Sequence, residues 1–469
     1  MRNFLFLFLL CSSCTLYPRY ERPCFASSED WRDPLPSQDE TDIQWWTQFN
    51  DPVLNQLIEQ ALVSNQNLQV AMARVDQFKA RLGIANSQLY PQIEAGALAQ
   101  RQKISTSTIA PPPGVPPIFN TFGGLLQASY FVDLWGQIRS ASDAAYHEWL
   151  SSIDTRRTVV LALVTSVGST YIQLRQFDQQ LIISLETLKT REESLFLANV
   201  RFDLGLTSKL EVEQAISEVQ IAELQVERLQ ISIAEAENSL SVLLGEPSKT
   251  IARGLELNEL PTVFAIPSYV PSEIVCQRPD VLAAEERLIA ANANIGVARA
   301  LFFPQISLFG AVGTQSDKIY NLFKGPSNIF DYGSTIIQEI FTGGRLTSNL
   351  NLSWAIQKEM LHAYLSVILT AFQEVNNALT SHKIYLEMVE TQRLRVEATT
   401  QYLHLSDLRY KEGEIDYLTY LDAERQNFQA QLDYEETKAN SFTSLIQIYA
   451  SLGGPWVIEA DAEAMQCKQ

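Results

Sequence analysis

A five-residue glycine turn occurs twice in this chain of 469 residues. Arg-Phe-Asp-Leu-Gly at 201–205 returns as Arg-Tyr-Lys-Glu-Gly at 409–413, and Pro-Gln-Ile at 91–93 returns at 304–306. The same order of patterns surrounds both copies: helix, Pro-Gln-Ile, alternating segment, loop, alternating segment, long helix, glycine turn, helix. The copies lie about 210 residues apart, which is far longer than a solenoid or propeller unit. Each copy is therefore predicted to be a whole subdomain of a quasi-symmetric protein.

Each copy contains two segments in which apolar and polar residues alternate. After Pro91, for example, Ile93 and Ala95 lie on one face while Gln92 and Glu94 lie on the other. A period of two is typical of a β-strand with two different faces. The predicted strands are about 92–103, 121–134, 305–315 and 330–341.

Long helices follow the strands. Residues 139–203 contain no proline and a single glycine, and residues 345–410 contain neither. A helix of that length would run about 95 Å. Further helices are predicted at 207–244 and 415–452. In the first of these, apolar residues alternate spacings of three and four, which indicates coiled-coil pairing, although a core helix of a globular domain would show a similar stripe. The seam residues are Val212, Ala215, Val219, Ala222, Val226, Leu229, Ile233, Ala236, Leu240 and Leu243.

The N-terminus has the features of an export signal. An apolar run at 4–10 follows Arg2 and is too short to span a bilayer. Small residues precede Cys14, as in a bacterial lipobox, so Cys14 is the predicted lipidation site; an ordinary signal peptide with an incidental cysteine is the alternative. The remaining cysteines have no spacing typical of a disulfide framework or a zinc site. They are Cys11, Cys24, Cys276 and Cys467.

These patterns predict one order of segments along the chain. Residues 15–50 are rich in Pro, Ser and acidic groups, which is typical of an extended arm. Residues after about 457 are expected to be a short disordered tail. The predicted segments are a signal peptide (1–13), a lipidated N-terminal arm (14–50), a first repeat (51–245), an equatorial linker (246–279), a second repeat (280–453) and a C-terminal tail (454–469).

Composition excludes several classes of protein. A formal net charge of −19 argues against nucleic acid as a partner, and it favours either solubility or a water-filled cavity that prefers cations. No segment after the signal reaches 18 apolar residues, so a membrane crossing would have to use strands. Four strands are too few for a closed barrel, which starts at about 8, so chains would have to pool them, and three chains would supply 12.

Nothing in the sequence indicates an enzyme, a cofactor or a metal centre. The four histidines have no metal-ligand spacing, and no GxSxG, HExxH, GxGxxG or Walker A sequence occurs. Gly245-Glu246-Pro247 is interpreted as a helix stop, and Pro279 with Asp280 as the capped start of a helix. The histidines are His147, His362, His382 and His404.

Over residues 14–456 the chain resembles the TolC-like outer membrane factors, in particular the lipoprotein branch often labelled NodT that serves resistance-nodulation-division (RND) efflux pumps. Each motif alone is weak, but together and in this order they are specific. The motifs are Cys-Thr-Leu-Tyr-Pro at 14–18, Tyr-Glu-Arg-Pro at 20–23, Trp-Trp at 45–46, Phe-Asn-Asp-Pro-Val-Leu at 49–54, Leu-Trp-Gly at 134–136, Arg-Pro-Asp-Val at 278–281, Ala-Ala-Glu at 283–285, Phe-Pro-Gln-Ile at 303–306, Phe-Thr-Gly-Gly-Arg at 341–345, Tyr-Leu-Thr at 417–419 and Leu-Asp-Ala at 421–423.

The resemblance implies an α+β membrane protein: a homotrimer with a 12-stranded outer-membrane β-barrel, four strands per chain, continuous with a 12-helix periplasmic α-barrel. It implies a passive exit duct of a tripartite efflux pump, whose partners are a periplasmic adaptor and an inner-membrane RND-type pump. It also implies a lipid anchor in the outer membrane. A type I protein secretion duct, or a coiled-coil envelope scaffold lipoprotein without a channel, are the alternatives.

The resemblance also implies a periplasmic gate just after the second glycine turn. There Leu418 and Asp422 correspond to the constriction, and Tyr410 and Arg425 to a latch. Asp422 and Arg425 are three apart on a predicted helix, close enough to interact. If the two copies are aligned on their glycine turns, the first copy has uncharged residues at the positions of this pair. The chain departs from the family pattern by its extra acidic residues in the second turn. The uncharged residues are Gln214 and Ser217, and the acidic ones are Glu414 and Asp416.

Overall fold

The computed structural model describes residues 16–23, 31–33, 44–105, 107, 116–261 and 278–466. The predicted signal peptide and lipidation site Cys14 lie outside the described residues. So do the other four cysteines and parts of the N-terminal arm and of the equatorial linker.

One order of elements, helix–strand–strand–long helix–helix, occurs twice in the described residues. The two long helices, α3 and α6, have 67 and 68 residues. Short 3-10 helices cover Trp45–Phe49, Ile319–Asn321 and Gly325–Ser327. The elements are α1 (Pro52–Ser64), α2 (Gln66–Ser87), β1 (Gln92–Lys103), β2 (Ile118–Val132), α3 (Gln137–Asp203), α4 (Lys209–Leu243), α5 (Pro279–Ala300), β3 (Gln305–Ser316), β4 (Asn328–Ile337), α6 (Arg345–Glu412), α7 (Tyr417–Leu452) and α8 (Pro455–Gln466).

Both repeated turns end a long helix in the same way. Gly205 and Gly413 have φ angles of 70° and 77°, in the left-handed region that favours glycine. In each turn the amide after the glycine donates back to the arginine carbonyl at the start of the motif, at 2.8 Å and 2.9 Å. These bonds satisfy carbonyls that the helix end leaves open. Asp416 then caps α7 by accepting from the Thr419 amide at 3.0 Å.

The chain divides into two compact units. The first comprises residues 1–24, 75–152 and 284–364, and it contains the four-stranded sheet. The sheet is antiparallel in the order β1-β2-β3-β4, so each strand pairs with its neighbour in sequence. Gln92 lies opposite Ser129, Ile306 opposite Val132, and Gln305 opposite Ile337. Within the described sheet, β1 and β4 are therefore the two edges.

β4 is shorter than the segment predicted at 330–341. It begins at Asn328 and ends at Ile337, the partner of Gln305. Pro304 precedes Gln305 and has no amide hydrogen, so the ladder loses a donor at this point. β2 and β3 approach closely, because a Cβ on Gly313 would collide with the Gly124 carbonyl oxygen.

The second unit comprises residues 25–74, 153–283 and 365–469 and contains a large apolar core. Aromatic rings form its centre: Trp45 stacks on Tyr449 with ring centroids 5.7 Å apart and meets the edge of Trp456 at 6.4 Å.

Pro455–Gln466 form a helix, so the prediction of a disordered tail was wrong for these residues. Within α8, Val457 and Ala460 are buried at positions three apart, and Asp461 accepts from Arg156 at 2.5 Å. Packing supplies the stability of this short helix, because helices of about 12 residues are marginal in isolation.

None of the described helices carries an apolar stretch long enough to cross a membrane.

Candidate functional site

All four predicted gate residues lie in the second unit, at the end of α6 and the start of α7. Leu418, Asp422 and Arg425 are exposed and spaced by four and three, so they form one face of α7. Residues beside and behind this stripe are buried, with Leu421 and Ala423 at 1% and 0% exposure. The first turns of α7 therefore present an apolar side chain, an acid and a base in one exposed stripe.

Asp422 and Arg425 form no direct ion pair in the described residues, although the Asp422 charge contributes to raising the pKa of Arg425 after the larger effect of Glu218. Among the described residues, Asp422 accepts from Gln426 Nε2 at 2.7 Å and from the Tyr402 hydroxyl at 3.4 Å. Arg425 donates instead to Glu218 on α4, with 2.9 Å between Nε and Oε1 and a second contact through Nη2. Glu218 is 2% exposed, and a buried carboxylate needs donors far more than an exposed one does. The hydrogen bond to Glu218 raises the pKa of Arg425.

Arg425 belongs to a larger ionic cluster in which arginines and carboxylates alternate. Arg191 on α3 is 2% exposed. Its Nη1 lies 3.2 Å from Glu218 Oε2, and its Nε lies 2.8 Å from Glu424 Oε1. Burial raises the pKa of Glu424, and the Arg191 guanidinium opposes that rise. Two cations and two carboxylates thus balance in a chain that joins α3, α4 and α7.

Tyr410 joins α6 to the neighbouring helices. Its hydroxyl accepts from Arg201 Nη1 at 2.8 Å and donates to Glu211 Oε2 at 3.4 Å. Its ring stacks on Tyr420 with centroids 5.4 Å apart and packs against Tyr417 at 5.6 Å. Burial, followed by the Glu211 carboxylate, raises the pKa of Tyr410.

Sequence reasoning missed the acidic partner in this site, although a signal for it exists. Glu218 lies three residues after Ala215 and four before Ala222, so it occupies a seam position of α4. The apolar pattern alone places Val219 in the seam, but Val219 is only half-buried. A charged residue at a seam position is a signal for a buried ion pair with the facing helix. Arg191 and Glu424 gave no comparable signal, because their pairing depends on which helices pack together.

A cavity of about 300 Å³ lies beside these contacts, within the second unit. Residues of α3, α6 and α7 form its wall. They are Ser194, Leu197, Ala198, Arg201, Asp407, Tyr410, Lys411, Tyr417 and Tyr420.

A four-stranded antiparallel sheet, two helices of more than 60 residues and polar contacts at the glycine turns define a TolC-like outer membrane channel. The sequence model of the outer membrane efflux protein family matches residues 57–246 and 270–454. The chain belongs to this family, which confirms the resemblance seen in its motifs.

Curated relatives and solved structures agree with this assignment. The chain is 36% identical over 458 residues to the toluene efflux pump outer membrane protein TtgC of Pseudomonas putida, covering 95% of this chain and 94% of that protein. Its fold is similar to the CmeC outer membrane channel of Campylobacter jejuni (TM-score 0.88, 25% identity, 96% and 98% of the chains covered). It is also similar to the open state of the MtrE outer membrane channel of Neisseria gonorrhoeae (TM-score 0.85, 31% identity, 94% and 98% covered).

Proposed function

We propose that this outer membrane efflux channel is the passive exit duct of a tripartite pump and works as a homotrimer. The four-stranded sheet carries the proposal, because β1 and β4 each pair on one side only within the described residues. An open edge in lipid leaves backbone groups unpaired, so the sheet closes by adding strands from other copies. Three copies supply 12 strands, an even number within the range of known barrels.

The helices form a 12-helix periplasmic α-barrel in the same trimer. The repeated order of elements supports an internal duplication, which gives six quasi-equivalent units from three chains. Each half contributes two helical columns to this barrel. One is its long helix, and the other consists of the helix before its strands and the helix after its glycine turn, stacked end to end.

The partners are a periplasmic adaptor and an inner-membrane RND-type pump. The name of TtgC, a toluene efflux pump component, supports small apolar molecules as substrates. Since the sequence has no nucleotide-binding motif, the energy for export comes from the pump. Cys14 carries the lipid anchor that holds the N-terminal arm at the outer membrane.

The start of α7 forms the gate of this duct. Leu418 and Asp422 line the constriction, while Arg425 and Tyr410 hold the latch. Three Asp422 carboxylates around one axis repel each other. The partners described for Asp422 are Gln426 and Tyr402, which do not neutralise it. The closed gate therefore prefers cations.

Electrical recording from the purified trimer tests the channel and the gate together. Heat-resistant trimers on gels and ion conductance in planar bilayers are expected for the wild type, and the double variant Asp422→Ala, Arg425→Ala raises the conductance. A protein that forms neither trimers nor pores would contradict the channel, and unchanged single-channel currents in the double variant would contradict the gate.

Export is tested in cells. A strain without the gene should accumulate more dye and detergent, and the wild-type gene should reverse this. Equal accumulation with and without the gene argues against a role in efflux.

A further inference from the structure

The cavity beside Tyr410 has the size of a small ligand site. At about 300 Å³ it lies at the lower end of the range for small-molecule pockets. Residues of α3, α6 and α7 of one chain line it, and all of them belong to the second unit.

Three tyrosine rings form one side of the cavity. Tyr417 and Tyr420 are only 7% and 8% exposed, and the rings of Tyr410, Tyr417 and Tyr420 lie 5.4–6.1 Å apart. Leu197 and Ala198 on α3 supply apolar surface in the same lining. Walls of this kind favour a flat aromatic ring, which can stack or meet tyrosine edges at such distances.

The cavity also contains a cation, Arg201, for which the described residues provide no ion pair with a carboxylate. The Arg201 guanidinium lies over the Tyr410 ring at 5.1 Å and donates to the neutral Tyr410 hydroxyl. Within the described part of the chain, no carboxylate oxygen forms an ion pair with it. Lys411, the other cation of the lining, is already paired with Asp407 at 2.6 Å. Arg201 is therefore the group that an incoming anion would contact, and its planar fork suits a carboxylate.

We propose that this cavity binds a small planar aromatic carboxylate of the benzoate class. The ring lies against Tyr417, Tyr420 and the apolar side chains of α3, and the carboxylate accepts hydrogen bonds from Arg201. An aliphatic acid would lack the stacking, and a neutral aromatic molecule would lack the ion pair. Both features of the lining are used only by a molecule that carries an aromatic ring and a negative charge together.

Binding has a consequence for the channel, and this consequence alone rests on the proposed function. A ligand in the cavity touches all three helices in the arrangement that also joins Arg201 to Tyr410. The ligand binds this packed arrangement of α3, α6 and α7 more tightly than an arrangement in which the helices separate. Binding therefore stabilises the packed arrangement. Benzoate is therefore expected to lower the open probability of the channel.

The test uses the full-length protein in detergent and 4-fluorobenzoate as the probe, with fluorine NMR line broadening as the readout. Saturable binding is expected, and benzoate should displace the probe. Cyclohexanecarboxylate and benzyl alcohol should compete at least about tenfold more weakly, because each lacks one of the two interactions.

Two variants and one control locate the site. Arg201→Gln should weaken binding about tenfold, the loss expected for one charge-assisted hydrogen bond. Ala198→Leu fills the cavity and keeps the charges, so it should abolish binding even if Arg201→Gln fails to fold. Arg409→Gln is the matched control, because Arg409 is exposed, lies outside the lining and pairs with Glu414 at 3.6 Å.

Each outcome decides one part of the inference. Absence of saturable binding, or wild-type affinity in folded Ala198→Leu, overturns the site. If binding is saturable but benzoate leaves the open probability in planar bilayers unchanged, the site is supported and its effect on the gate is overturned. If the wild-type protein shows no conductance in the absence of ligand, the proposed function is contradicted, but the benzoate site is not.

Discussion

Replacing Arg425 by glutamine should ease opening of the gate and leave the fold nearly intact. The Arg425 side chain is 51% exposed, so its ion pair with Glu218 contributes at most about 1 kcal/mol after solvent screening. In the proposed trimer all three copies of the pair break before the gate opens. For about 0.5–1 kcal/mol per copy, the closed-to-open ratio falls by roughly 10- to 150-fold.

Single-channel recording in planar bilayers measures this ratio as the open probability. Arg393→Gln is the matched control, since the ion pairs that Arg393 on α6 forms with described residues are with Glu390 and Glu397 of the same helix. Its open probability should equal that of the wild type. An unchanged open probability in Arg425→Gln, or an equal rise in Arg393→Gln, would refute the latch.

Replacing Glu218 should have a different effect from replacing Arg425. Among the described residues, Glu218→Gln leaves Glu424 as the carboxylate that pairs with the buried Arg191. Removing one partner of a buried ion pair typically costs about 3–5 kcal/mol. The melting temperature of Glu218→Gln should therefore fall well below that of Arg425→Gln. The reverse order would show that the buried cluster does not depend on Glu218.

Three further predictions concern other parts of the chain. Gly313→Ala should reduce trimer yield in outer-membrane extracts, because overpacking costs about 1–3 kcal/mol, whereas Gly96→Ala, with no atom near its Cβ, should not. Burial lowers the pKa of His382 below its ordinary value of 6.5, so the folded protein favours the neutral imidazole. The protein therefore loses stability as the pH falls below about 6.5, because the unfolded chain then binds the proton more readily. His382→Asn should show a smaller drop in melting temperature than the wild type between about pH 7 and pH 5. Cys14→Ala should abolish palmitate labelling of the expressed protein, while Cys24→Ala should not.

Local patterns were sufficient to predict most elements. The segment predicted at 92–103 is β1, since alternation and the preceding proline both act within a few residues. The long helices could be predicted from the lack of proline within them and from the glycine turns that follow them. The family and its role as an outer membrane efflux channel, inferred from ordered motifs, are confirmed by the comparisons.

Contacts between distant helices could not be predicted from spacing. Asp422 and Arg425 are correctly spaced for an i,i+3 pair, yet Arg425 turns to Glu218, 207 positions away. The deciding quantity is burial: the carboxylate of Glu218 is almost fully desolvated, and that of Asp422 is exposed. Burial of this kind follows from the packing of α4 and α7, which no single helix pattern reveals. The C-terminal helix was missed for the same reason, because Trp456 stabilises it through Trp45.

The ionic cluster gives the internal repeat a specific consequence. The first half supplies Arg191 and Glu218, and the second half supplies Glu424 and Arg425, so each half brings one cation and one carboxylate. At the offset that relates the two turns, the corresponding positions hold Thr399, Gln426, Ile216 and Ser217. Glu218 of the first half pairs with Arg425 of the second half, and this complementarity favours the pairing of α4 with α7 over the pairing of two copies of either helix. In the proposed trimer this divergence would leave three such ionic contacts among six similar units, so that three broken contacts, rather than six, would set the energy for opening the proposed gate.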